Sequence, residues 1–166
     1  KTPLIYLMAM MAGGVMWFRL ILMIWNLVNV VLIWKVGEKL IEKKWGIVLA
    51  TALFAIFSTV PLLEGEIANG EIFMIMPATA ALYLFISKKY FWSGILWAAA
   101  FLFKVPVAFE LFGVVFFLTF ILRIFDRRLW LMILGFGLPV AASLIYFFWG
   151  GAGEMYVRSA LLQNIS

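Results

Sequence analysis

The chain contains no cysteine and no histidine. The first absence excludes a disulfide framework and thiolate metal sites. The second removes the commonest general base and metal ligand, so any catalysis must rest on carboxylates, Lys, Arg, Tyr or amides. Charge is scarce as well: Asp, Glu, Lys and Arg make up 13% of the 166 residues, whereas 67% are hydrophobic. Soluble domains are about 45–50% apolar, and the mean hydropathy of +1.13 is that of a lipid-embedded protein. Aromatic residues at 18%, with eight Trp, suit belts at membrane–water interfaces. The net charge of +5 does not point to nucleic acid, because most basic residues fall in short segments between apolar runs. With Lys1 first, no signal-peptide pattern and a polar Gln163-Asn164-Ile165-Ser166 end, the sequence reads as one transmembrane helical domain, 1–166, inside a longer chain.

A span needs about 20 apolar residues. Thr2–Ala12 is too short and reads as an interfacial helix or the start of a longer one, with Pro3 in its first turn and Gly13-Gly14 ending it. Val15–Trp34 is long enough to cross, with Arg19 near one end, where it can snorkel. Asn26 and Asn29 share one face of it at i, i+3, which suits interhelical hydrogen bonding or, alternatively, a pore or substrate contact. Lys35–Lys44 is a charged break in which Lys35 with Glu38 and Lys39 with Glu42 have helical spacing. Trp45–Leu63 is the next span. Glu64–Gly70 is an acidic loop, and a helix is expected to begin at Asn69 or Gly70, Asn being a good N-cap and Glu71 suiting the positive end of the helix dipole. Ile72–Ile86 crosses back with Pro77 inside, which membrane helices tolerate. Ser93–Phe103 and Val107–Leu122 flank Lys104-Val105-Pro106. Both outer ends of this region are basic, so it reads as a hairpin bent where the residue before Pro is pushed out of the helical region; one long kinked helix is the competing reading. Leu129–Trp149 is the last span, and Glu154–Ser166 is amphipathic.

Nine of the 13 basic residues, Lys35, Lys39, Lys43, Lys44, Lys88, Lys89, Arg123, Arg127 and Arg128, fall in three segments. The positive-inside rule places these in the cytoplasm. It places Lys1, Glu64–Glu71, Lys104 and Glu154–Ser166 toward the outer face. That face then collects carboxylates (Glu64, Glu66, Glu71), cations (Lys1, Lys104, Arg158) and the hydroxyls of Tyr6 and Tyr156. Cations that neutralise a leaving phosphate beside a carboxylate that accepts a proton suit transfer from a phosphate-bearing lipid. Each also has a plainer reading. Glu64 and Glu66 suit solvated loop acids, and Glu71 suits ordinary helix-start design. Lys104, among Phe101-Leu102-Phe103 and Val105-Pro106, would cost about 2.5–3.5 kcal/mol in lipid and needs water, a partner or an anion; Glu110 is its nearest candidate counter-ion.

Four segments carry a resemblance. Lys1-Thr2-Pro3-Leu4-Ile5-Tyr6-Leu7, Asn69-Gly70-Glu71-Ile72-Phe73 through Pro77, the whole of Gly94 through Lys104-Val105-Pro106, and Tyr156-Val157-Arg158 through Gln163-Asn164 are similar, in that order, to segments of the GT-C superfamily of membrane glycosyltransferases. The protein O-mannosyltransferases and the lipid A aminoarabinose transferase are the relatives meant. Ala98 stands where the family often has Gly, and Glu71 where some branches have Asp. The resemblance implies transfer of a sugar from a polyprenyl-phosphate carrier to an acceptor outside the cytoplasm. Lys1 and Lys104 would bind the donor phosphate. Glu71 would act in the catalytic cavity, and Tyr6, Asn69 and Arg158 would contact substrate. The principal catalytic Asp would precede Lys1.

The expectation is therefore an all-α, polytopic bundle of about five to six membrane-embedded helices with a short broken hairpin. It would lie in the plasma membrane of a prokaryote with its active side outward. Its partners would be the bilayer and a lipid-linked sugar, not nucleic acid. A divalent metal is compatible with the outer carboxylates, although no ligand spacing is diagnostic. The rival classes are a transporter or flippase for a lipid-linked or anionic solute, for which a broken helix is equally apt but no internal repeat is visible, and a structural membrane subunit.

Overall fold

A computed structural model describes residues 3–59, 70–121 and 127–160, and these are all-helical. The elements are α1 (Pro3–Ala12), α2 (Val15–Leu40), α3 (Lys44–Phe57), α4 (Gly70–Ile86), α5 (Tyr90–Phe103), α6 (Val107–Phe116), α7 (Arg127–Trp149) and α8 (Gly153–Ala160). After α6 the chain continues as a π-helical turn over Phe117–Ile121. Gly13, at φ 64°, ends α1 in the left-handed conformation that glycine adopts without strain.

Contacts between helices fix the directions of α2, α3, α4, α5 and α7. Trp25 meets Phe73 toward the starts of α2 and α4, and Lys39 lies 5.3 Å from the centre of the Tyr83 ring toward their ends, so the two run parallel. α5 returns antiparallel to α4: Tyr90 at its start meets Phe85, and Phe103 at its end stacks on Phe73, with ring centroids 5.8 Å apart. α7 runs with α5, Arg128 lying 6.0 Å from the Tyr90 ring and Phe136 meeting Phe101. α3 folds back along α2, with Ile47 against Gly37 and Ser58 beside Asn26.

Two glycines set the closest packing. A Cβ on Gly94 would overlap the Met132 carbonyl oxygen, and one on Gly135 would overlap the Phe91 carbonyl oxygen. The backbones of α5 and α7 therefore touch where they cross, as small residues allow. Fully buried Ser93 donates to the Ala81 carbonyl at 2.8 Å and ties α5 to α4.

The break at Lys104–Pro106 is a hairpin. Val107 is buried with Ala78, Ala81, Trp97 and Ala100, and Leu111 and Val114 pack both on that cluster and on Leu129 and Met132. One long kinked helix would have carried Val114 away from these residues.

Among the described residues α2 and α7 are long and apolar enough to cross a membrane, and α1, α3, α4, α5 and α6 are shorter apolar helices. α2 runs on to Leu40, as the helical spacing of the charged stretch suggests. The pairs anticipated within it are replaced: Glu38 accepts from Trp34 Nε1 at 2.9 Å, and Lys39 sits over Tyr83.

The helix directions gather Lys35, Lys39, Lys44, Lys88, Lys89, Arg127 and Arg128 at one end of the bundle. The starts of α2 and α4 and the α5–α6 break lie toward the other. Exposed tryptophans follow the same division: Trp45, Trp92 and Trp130 begin helices at the basic end, while Trp17 and Trp149 lie at the opposite helix ends. Trp97, midway along α5, is buried.

Candidate functional site at the start of α4

Pro77 has no N–H, so in α4 it leaves the carbonyl of Phe73, one turn earlier, without its helical donor. Trp25 Nε1 supplies that donor at 3.0 Å. Around the bond, Phe18, Trp25, Phe73 and Phe103 form an aromatic cluster with ring centroids 5.2–5.9 Å apart. Phe73 is completely buried in it, and Ile5 of α1 joins the same group.

This cluster joins three stretches distant in sequence. Glu71 is in the first turn of α4, two residues before Phe73. Lys104 directly follows Phe103, and Pro3 is two residues before Ile5. The backbones of Glu71 and Lys104 therefore lie at the same end of the molecule. Lys104 ends α5 in an extended conformation, φ −157° and ψ 127°, with its N–H on the Ala100 carbonyl. Its side chain is half-buried. α4 is described from Gly70 onward; Asn69, the N-cap expected from sequence, lies outside the described residues, as do Lys1, Glu64, Glu66 and the side chain of Glu71.

The remaining candidates are peripheral to the cluster. Tyr6 is 61% exposed and takes no part in it. Arg158 is exposed on α8. Its neighbour Tyr156 is held by packing, stacked on Phe147 with centroids 4.5 Å apart and accepting from Ser143 Oγ at 3.2 Å. Glu110 is exposed in the first turn of α6. Among the described residues no three acidic side chains come together.

Next to the cluster lies a crevice between α2, α3 and α4. Asn26 Nδ2 donates to Ser58 Oγ at 2.9 Å, the interhelical role open to it from sequence. Asn29, one turn on and 2% exposed, has no partner for Oδ1 among the described residues. Both line a cavity of about 220 Å³ with Trp25, Phe54, Phe57 and Ile72. A larger adjoining cavity of about 530 Å³ shares Asn26, Ser58 and Ile72 and opens past Arg19.

Sequence reasoning missed Trp25, Phe73 and Ser93. The available signals were Pro77, which orphans one particular carbonyl, and a single serine in a mostly apolar helix. No family model, curated protein or solved structure matches the chain, so the likeness to GT-C enzymes rests on the four quoted segments alone.

Proposed function

We propose that this chain is the membrane-embedded core of a glycosyltransferase that takes a sugar from a polyprenyl-phosphate donor on the non-cytoplasmic side. The observation that carries this reading is the meeting of Ile5, Phe73 and Phe103 in one cluster. Three of the four segments that resemble GT-C enzymes converge there, although Ile5, Phe73 and Phe103 are far apart in the chain.

Five to six helices would lie in the bilayer, the shorter ones packed against α2 and α7. The two bands of exposed Trp and the apolar surface between them, including Leu27, Leu49, Phe112 and Ile145, support that placement. Lys1 and Lys104 would neutralise the donor phosphate, and Glu71, at the positive end of α4, would orient the sugar or acceptor. Tyr6, Asn69 and Arg158 would contact substrate from the rim.

The test is sugar transfer from a lipid-phosphate donor by the full-length protein and by Lys1→Ala, Glu71→Ala and Lys104→Ala. Loss of a phosphate-stabilising cation is expected to lower turnover by about 10²-fold or more. Unchanged transfer in all three would remove the site assignment. The broken α5–α6 hairpin also suits a flippase; movement of labelled lipid between leaflets with no sugar transferred would favour that class instead.

A further inference from the structure

We propose that the groove between α2 and α3 seats an anionic phospholipid, its phosphate on Arg19 and one acyl chain running toward Val30. The proposal rests on the membrane placement above but not on the transferase chemistry. Arg19 is exposed in the second turn of α2, at the mouth of the larger cavity. Below it Leu22, Met23, Leu27, Val30 and Ala55 form an apolar channel. From Arg19 to Val30 the helix rises about 16 Å, which is room for the upper part of a lipid tail.

Arg19 is the charged group among the described residues lining the groove, and it makes no hydrogen bond or ion pair among the described residues, which leaves its guanidinium open to an anion. The polar groups lower down are already engaged: Asn26 donates to Ser58, and Thr59 Oγ1 donates to the Ile56 carbonyl at 2.8 Å. The start of α2 adds the positive end of a helix dipole on the same side. A guanidinium matches phosphate oxygens two at a time. Apolar flanks at Met16, Trp17 and Met23, all exposed, point to a phosphate carried by a lipid and not to a free one.

The experiment is native mass spectrometry of the full-length protein in non-ionic detergent, titrated with phosphatidylglycerol against phosphatidylcholine. Wild type is expected to retain phosphatidylglycerol preferentially. Arg19→Gln is expected to weaken that retention by about tenfold or more, as for loss of hydrogen bonds to a charged group. Arg19→Lys keeps the charge but not the fork and is expected to fall between. Ala55→Phe keeps the charge, narrows the channel and is expected to weaken retention too. If Arg19→Gln does not fold, the last two variants decide, and retention unchanged in both overturns the proposal. Displacement of phosphatidylglycerol by equimolar inorganic phosphate, or by equimolar polyprenyl phosphate, also overturns it. A protein that leaves the membrane fraction without detergent would sink the membrane placement itself; unchanged lipid preference in a detergent-requiring protein sinks only the groove.

Discussion

Trp25 Nε1 donates a 3.0 Å hydrogen bond to the carbonyl oxygen of Phe73, the oxygen that Pro77 leaves without a helical partner. A buried carbonyl without a donor is unfavourable, and in an apolar helix few groups can reach it. The indole therefore does two things at once. It satisfies α4 at the point where proline interrupts it, and it fixes the first turns of α4 to α2. The backbone position of Glu71 follows from that bond, because only Ile72 stands between it and Phe73.

Trp25→Phe keeps the ring contact with Phe73 and removes the donor. Orphaning the carbonyl is expected to destabilise the protein by about 1–3 kcal/mol. Pro77→Ala restores an N–H at position 77, so the Trp25→Phe loss is expected to shrink in that background. Thermal unfolding of the two single variants and the double variant in detergent measures the coupling. Equal losses with and without Pro77 would show that the indole acts by packing alone.

The bundle's ends yield a topological prediction, which the absence of cysteine makes simple to test. Single cysteines at Lys44, Lys88 and Arg127 all fall at the basic end, whereas one at Glu154 follows the last turn of α7 at the other. In intact cells a membrane-impermeant maleimide is expected to label Glu154→Cys, and to label the other three only after permeabilisation. Labelling of Lys44→Cys and Arg127→Cys from opposite sides would contradict the shared end.

At the α5–α7 crossing, Gly94→Ala and Gly135→Ala place a methyl group onto a backbone carbonyl of the facing helix. Backbone cannot yield as a side chain can, so a loss of about 3 kcal/mol, the upper part of the overpacking range, is expected from each. Gly137→Ala, two residues on, meets nothing within 4 Å. There the better helix propensity of Ala is expected to leave stability unchanged or raise it by up to about 1 kcal/mol. Unfolding temperatures of the three variants, measured side by side, check this.

Which features were legible in the sequence follows from the range of the interactions that create them. The C-terminal ends of α1 and α7 are local matters of Gly13-Gly14 and Trp149-Gly150, and they lie where the sequence places them. The hairpin at Lys104–Pro106 was legible because proline restricts its own predecessor and basic residues stand at both outer ends. Helix lengths were less so: an apolar run says nothing of where packing stops it, and Val107–Ile121 divides into α6 and a π-helical turn. The aromatic cluster was hidden, since Trp25 and Phe73 are 48 residues apart and nothing local to either names the other. At the site itself, only the convergence of the backbones near Glu71 and Lys104 goes beyond sequence. Tyr6 and Arg158 were chosen by segment, and burial, which depends on neighbours from other helices, places both at the surface.

Asn26 and Asn29 sit one turn apart on the same helix face, yet they are expected to respond oppositely to the same substitution. Asn26→Leu removes the bond to Ser58 and leaves that hydroxyl with only its own Ala55 carbonyl as a partner. A loss of about 1 kcal/mol is expected, in the range of interhelical hydrogen bonds in membranes. Asn29 is nearly fully buried, and its Oδ1 meets no donor among the described residues. Leu is close to Asn in size and carries no polar atom, so Asn29→Leu removes an unsatisfied group and is expected to be neutral or stabilising. Thermal unfolding of both variants distinguishes the two cases. If Asn29→Leu instead destabilises the protein by more than Asn26→Leu, the Asn29 amide has a donor in solution, and the cavity it shares with Trp25 and Phe54 holds that donor.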